Sequence, residues 1–158
     1  MEIFAMPGHL IRRLNQIATG LFMDHMARAG HSLTPVQYGV LSALTHHPGS
    51  DQATIAGLVA YDRATLGRVL DRMEARGLVA RATSARDRRA KVLTLTEAGH
   101  ALYTAARPHV EALQPDILTG LTSEEQRLFR NLLDKVTMAG NSSSRAPWVP
   151  PDPDQSET

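Results

Sequence analysis

The chain has 158 residues, enough for one compact unit with extensions. It contains no cysteine, which excludes a disulfide framework, a thiolate zinc site and a cysteine redox sensor, and fits a reducing cytoplasm. Apolar residues make up 42% and the net charge is +1; no apolar run approaches the roughly 20 residues of a membrane span, and the first 13 residues lack the basic-then-apolar order of a secretory signal, so a soluble cytoplasmic protein without membrane partners is expected.

A first helix is predicted from about Pro7 to Ala29, because Leu10, Leu14, Ile17, Leu21 and Phe22 recur at helical spacing and Gly30 can stop it. Thr34, Pro35 and Gln37 supply cap, first position and capping-box partner for a second helix with the stripe Val36, Val40, Leu41 and Leu44, ended by His46 to Gly49. A short helix follows over Asp51 to Val59, then a turn at Ala60 and Tyr61. Asp62 can cap a further helix, Arg63 to Arg76, closed by Gly77. Leu66, Val69, Leu70 and Met73 make its apolar face, leaving Thr65, Arg68, Asp71 and Arg72 on the other side.

The period then changes. Leu78 to Thr83 and Ala90 to Leu95 read as two strands joined by the Arg-rich loop Ser84 to Arg89. Thr96 caps a helix reaching about Leu118, with a kink or break expected near Pro108 or Pro115. Thr122 and Glu125 open a last helix to about Ala139, striped by Leu128, Phe129, Leu132, Leu133 and Val136. The fold class is mainly α with a small β-hairpin. Residues 31–95 read as a helix-turn-helix with a hairpin and 141–158 as a disordered tail.

Charge singles out the middle. Residues 50–96 hold nine Arg or Lys against five Asp or Glu, a net +4; the remainder, with eight against eleven, is −3. A basic amphipathic helix fits the DNA major groove and an arginine-tipped hairpin fits the narrow minor groove, so adjacent elements of one rigid unit can touch both. An arginine-bearing face by itself is more often plain solvated surface; the adjoining hairpin is what turns the reading toward double-stranded DNA.

These residues carry a family resemblance. The stretch from Asp62 to Val79 resembles the recognition helix of MarR-family regulators. Asp87 to Gly99, with Asp-x-Arg at its tip and Leu-Thr-x-x-Gly at its close, is similar to that family's wing, and Leu33 to Leu41 is similar to its second helix. The resemblance spans about Pro7 to Ala139. It implies a homodimer with intertwined terminal helices, in which 1–30 and 96–140 form a helical dimerisation region and 31–95 a winged helix-turn-helix, each chain offering one winged helix to half of a palindromic site. By the same resemblance Thr65, Arg68 and Arg72 face the major groove and Arg63 the backbone. Arg89, braced by Asp87, enters the minor groove. Arg86, Arg88 and Lys91 complete the DNA-binding set near phosphates.

The resemblance also implies an effector site where the reading head meets the dimer helices. The run from Met6 to Gln16 is similar to family members that regulate nicotinate breakdown and respond to a hydroxylated nicotinate. Arg13 can pair with a carboxylate and His9 or His47 can hydrogen-bond a ring substituent; Arg12 and Arg13 facing solvent or pairing across the dimer is the equally weighted alternative. A small aromatic acid is thus the expected effector, repression lifted by it the expected action, and activation or another effector the alternatives. No cofactor is expected. The seven histidines form no His-x-x-x-His pair, so no metal is expected either. Gly-x-Ser-x-Gly, a phosphate-binding glycine loop and a cysteine nucleophile are all missing, which argues against an enzyme. A DNA-packaging protein or a protein-binding adaptor are the remaining rivals.

Overall fold

A computed structural model describes residues 2–84 and 91–149. After a short 3-10 turn at Ile3–Ala5, the elements are α1 (Pro7–Arg28), α2 (Pro35–His46), α3 (Gln52–Leu58), α4 (Arg63–Ala75), β1 (Val79–Thr83), β2 (Lys91–Leu95), α5 (Glu97–Ile117) and α6 (Ser123–Ala139). The fold is mainly helical with one antiparallel hairpin. Among the described residues no helix is long and apolar enough to cross a membrane.

The local signals act as their chemistry dictates. Thr34 and Gln37 exchange both capping-box hydrogen bonds at the start of α2, and Thr122 with Glu125 does the same for α6. Asp51 lies just outside α3 and caps it by accepting from the Thr54 amide at 2.8 Å. The end of α4 is a Schellman turn: Gly77 takes φ +68°, its amide donates to the Glu74 carbonyl and the Leu78 amide to that of Met73.

The core sits where the head meets α1 and α5. Val40, Leu41 and Leu44 of α2, Ile55 of α3, Leu66, Val69, Leu70 and Met73 of α4, and Val79 and Leu93 of the hairpin are all buried. From the other side come Phe22 and Met26 of α1 and Tyr103, Ala106 and Leu113 of α5. A third strand-like contact widens the hairpin: Gly49 donates to the Leu93 carbonyl, and Leu93 donates back to that of Ser50.

The structure departs from the sequence expectations in three places. α5 runs unbroken through Pro108 and Pro115. Each proline removes one backbone donor, but Tyr103, Ala106 and Leu113 bury the helix on both sides of Pro108 and hold its path. The stripe expected on α1 is only partly used: Phe22 and Met26 are buried, whereas Leu10 and Ile17 are each 52% exposed. Residues 141–149, expected to be disordered, instead fold back. Asn141 begins a 3-10 turn, and its side-chain amide brackets the Trp148 backbone, donating to the carbonyl and accepting from the amide, both at 2.8 Å. Asn carries donor and acceptor on one group, which lets one residue close the segment. Residues 150–158 lie outside the described part.

Candidate nucleic-acid interface and effector cleft

The helix-turn-helix is α3, the turn Val59–Asp62, and α4. The turn is another Schellman motif, with the Tyr61 amide donating to the Ala56 carbonyl and the Ala60 amide to that of Gly57. Ala60 occupies the left-handed position, φ +50°, where glycine is the usual occupant. Asp62 then caps α4: one carboxylate oxygen accepts from the Thr65 amide and from the Thr65 hydroxyl, each at 3.1 Å. These bonds hold the Asp62 carboxyl below its ordinary pKa, with the Thr65 amide the largest cause.

Thr65, Arg68, Asp71 and Arg72 line one shallow depression on the outer face of α4, so the expected face is physically continuous. Arg63, Arg68 and Arg72 are exposed and Thr65 is half-buried. The Thr65 hydroxyl proton is committed to Asp62, so toward a ligand Thr65 offers lone pairs and its methyl group. Arg72 Nε donates to the Arg68 carbonyl at 3.2 Å, which lays its side chain along the helix.

Arg81 on β1, to which the sequence analysis assigned no role, organises this face. Its guanidinium forks onto two carboxylates of α4, Asp71 at 2.7 Å and Glu74. Burial acts to lower the Arg81 pKa, but the two carboxylates outweigh it and the net direction is upward. The consequence is electrostatic: the single Arg81 charge offsets one of the two acid charges of α4, and Arg63, Arg68 and Arg72 outweigh the one that remains, so the face is net positive. The same fork fixes the angle between α4 and β1. Its signal in the sequence is an arginine at a half-buried strand position following two acids spaced i, i+3 on the preceding helix.

At the loop end of the paired strands Lys91 lies opposite Thr83, donates to its hydroxyl at 3.0 Å and is exposed. Arg86, Asp87, Arg88 and Arg89, the expected wing tip and its brace, lie outside the described residues. The Leu-Thr-x-x-Gly close is structural. Thr96 Oγ1 donates to the Gly77 carbonyl at 2.6 Å and accepts from the Gly99 amide at 3.1 Å, joining the end of α4 to the start of α5. Gly99 packs directly under the Leu78 carbonyl, where a Cβ has no room.

A cleft of about 460 Å³ opens beside α2, lined by Tyr38, Ser42, His46 and His47 together with apolar groups including Val36, Leu58 and Val59. Tyr38, Ser42 and His46 follow one another at i, i+4 and i+8, a polar face of α2 that the attention to its apolar stripe passed over. Behind them Tyr38 stacks on Tyr103 of α5, ring centroids 5.6 Å apart, and His46 meets Tyr103 edge-on at 6.4 Å. Burial, then Tyr103, pushes the Tyr38 phenol up to about 12, so it remains a hydrogen-bond donor across the neutral range. Arg107 and Glu111, paired at 2.6 Å on α5, are the other charges Tyr38 senses.

Of the three residues expected at an effector site, His47 lines this cleft. His9 and Arg13 do not line it within one chain. Arg13 is exposed on α1, and His9 lies edge-on to Phe4 with a buried Nε2 that has no hydrogen-bond partner among the described residues. No cluster of three or more potential metal-ligating side chains occurs among the described residues.

A model of the MarR family matches residues 31–90, a range that holds α2, the helix-turn-helix and β1. The transcriptional regulator HosA of Escherichia coli O127:H6 is 38% identical over 119 residues, covering 73% of this chain and 88% of that one. The HTH-type transcriptional repressor NicR of Pseudomonas putida is 32% identical over 143 residues, covering 88% and 89%. Among solved structures, BpsR of Bordetella bronchiseptica, whose DNA binding is regulated by 6-hydroxynicotinic acid, superposes with a TM-score of 0.80 at 30% identity, over 87% of this chain and 96% of that one. These relatives are transcription regulators and not enzymes, and the chain belongs to the MarR family of DNA-binding transcription regulators.

Proposed function

We propose that this chain is a homodimeric repressor that holds a palindromic operator and releases it when a small aromatic acid of the hydroxynicotinate type binds. The observation that carries the DNA-reading half is the face of α4, where Thr65, Arg68 and Arg72 are grouped while Arg81 pairs with Asp71 and Glu74 and offsets part of their charge. In this reading Thr65, Arg68 and Arg72 address base edges, Arg63, Arg86, Arg88 and Lys91 address phosphates, and Arg89, with Asp87 as brace, enters the minor groove.

The dimer follows from surface left uncovered within one chain. Leu128, Leu132 and Val136 of α6 are 56%, 51% and 63% exposed, and Leu10, Ile11 and Ile17 of α1 are similarly open. Two regular apolar stripes facing water are unfavourable at roughly 25 cal/mol per Å². A second copy covers both. In this arrangement 1–30 and 96–140 are the dimer region and 31–95 the reading head.

The effector is assigned to the cleft beside α2. Tyr38 offers a donor, His46 and His47 offer ring nitrogens, and Val36, Leu58 and Val59 offer an apolar wall for an aromatic ring. The likeness to BpsR and NicR supports the hydroxynicotinate class. The cleft is walled by α2 and the end of α3, and two of its residues, Tyr38 and His46, pack on Tyr103 of α5 in the dimer region, so a ligand that shifts those rings favours one head spacing over another. Moving the population from 1:99 to 99:1 takes about 5.5 kcal/mol of differential binding.

The test is titration of the purified protein against its own upstream intergenic DNA at fixed salt, with and without 6-hydroxynicotinate. Selective binding weakened by the ligand is the expected result. Selective binding that ignores the ligand keeps the regulator and discards this effector. Binding no tighter than to random DNA, there and across genomic fragments, overturns the reading.

A further inference from the structure

The segment that follows α6 ends at the DNA-reading head. The Asn141 amide closes residues 141–148 into a loop. That loop rests on α3: the Pro147 backbone covers Gly57 so closely that a Cβ there would come within 2.7 Å of the Pro147 carbonyl oxygen, and Ala146 packs against the core. Arg145 projects from the loop two residues before this contact, is exposed, and makes no ion pair among the described residues. Its charge is nonetheless felt at Asp62, the cap of α4. One Asp62 carboxylate oxygen accepts from the amide and hydroxyl of Thr65, and no ion pair joins Asp62 to Arg145 among the described residues. Arg63, exposed in the first turn of α4, is the next residue along. The turn between α3 and α4 therefore carries two exposed cations, one from the head and one delivered from the far end of the chain.

We propose that residues 141–149 form a strap that carries Arg145 to the helix-turn-helix, where its guanidinium binds a DNA backbone phosphate flanking the groove that α4 enters. A guanidinium presents paired N–H donors that match phosphate oxygens, and a phosphate contact carries no sequence information. The strap thus adds affinity, without selectivity, from a segment outside the winged helix itself. The proposal rests on the DNA-reading assignment above.

The experiment uses the full-length protein with its operator duplex and an unrelated duplex of equal length, over a series of salt concentrations. Arg145→Ala is expected to weaken both duplexes by the same factor, about 3- to 10-fold, and to reduce the slope of log affinity against log salt by about 0.9 per chain. Arg145→Lys keeps the charge and is expected to keep the slope. Asn141→Ala, which removes the hydrogen bonds that close the loop seated on α3, is expected to give a smaller loss in the same direction. Arg68→Ala serves as the reference, losing selectivity for the operator. An unchanged salt slope for Arg145→Ala beside a normal loss for Arg68→Ala overturns the strap contact and leaves the reader intact. A lowered melting temperature with a normal slope assigns the segment to stability alone and likewise overturns it. Wild-type protein that fails to select the operator overturns the reading on which both rest.

Discussion

Gly99 and Ala60 show how much of this head depends on single small residues. At Gly99 a methyl group would collide with the Leu78 carbonyl, a backbone atom that cannot step aside. Gly99→Ala is therefore expected to cost about 1–3 kcal/mol, measured by urea unfolding. Ala60 presents the opposite case. It holds a left-handed backbone that glycine adopts without a Cβ clash, so Ala60→Gly is expected to raise stability by about 0.5–1 kcal/mol after the extra freedom of the unfolded chain is subtracted. Arg68→Ala should leave the fold intact, because the side chain is exposed. It should weaken operator binding by about 1–3 kcal/mol while sparing binding to random DNA, as read by competition titration. At this scale the sequence was informative about identity and less so about engagement. Thr65 could be placed on the outer face of α4, but that its hydroxyl is held by Asp62 depends on the approach of two side chains within one turn.

Element by element, the helix boundaries were legible because their signals are local. Thr34 with Gln37, Thr122 with Glu125, and the caps Asp51, Asp62 and Thr96 each act within three or four residues. The carboxyls of Asp51, Asp62 and Glu125 are all held below their ordinary pKa, in each case chiefly by a backbone amide. A depressed pKa in the folded state contributes stability that is present above the ordinary carboxylate value and lost as pH falls through the lowered one. Thermal stability is thus expected to decline once pH drops below about 4. The pairing of α4 with β1 was not legible. Arg81 lies seven residues from Glu74 and ten from Asp71, beyond any helical spacing, and meets them only after the chain turns at Gly77. Arg81→Ala should release two carboxylates onto the proposed DNA face, weaken binding to all duplexes, and lower the melting temperature. Restoring affinity by Asp71→Asn in the Arg81→Ala background would show that charge, rather than geometry alone, is responsible.

For the whole molecule the decisive quantity is apolar surface without a partner. The stripe of α6 is as regular as any in the core, yet none of its residues is buried within one chain. Leu132→Glu, or Leu132→Glu with Val136→Glu, should leave the helical content of the head unchanged. Sedimentation should then report a monomer, and operator affinity should fall sharply because two half-sites no longer bind as one unit. A substituted protein that remains dimeric would place the interface elsewhere.

Periodicity and capping by themselves determined six helices, a hairpin and a basic face on α4, since a side chain's effect on its own turn travels only a few residues along the chain. Which apolar stripes would find cover, and which charges would meet, had to wait for the folded chain. The two prolines of α5 are carried inside a helix because packing on either side holds its path. Tyr38, His46 and Tyr103 become neighbours across two helices. Residues 141–149, polar and proline-rich as a sequence, come to rest on Gly57. Contacts between residues distant along the chain depend on the relative placement of whole elements, and that placement is set by the sum of the packing rather than by any local signal.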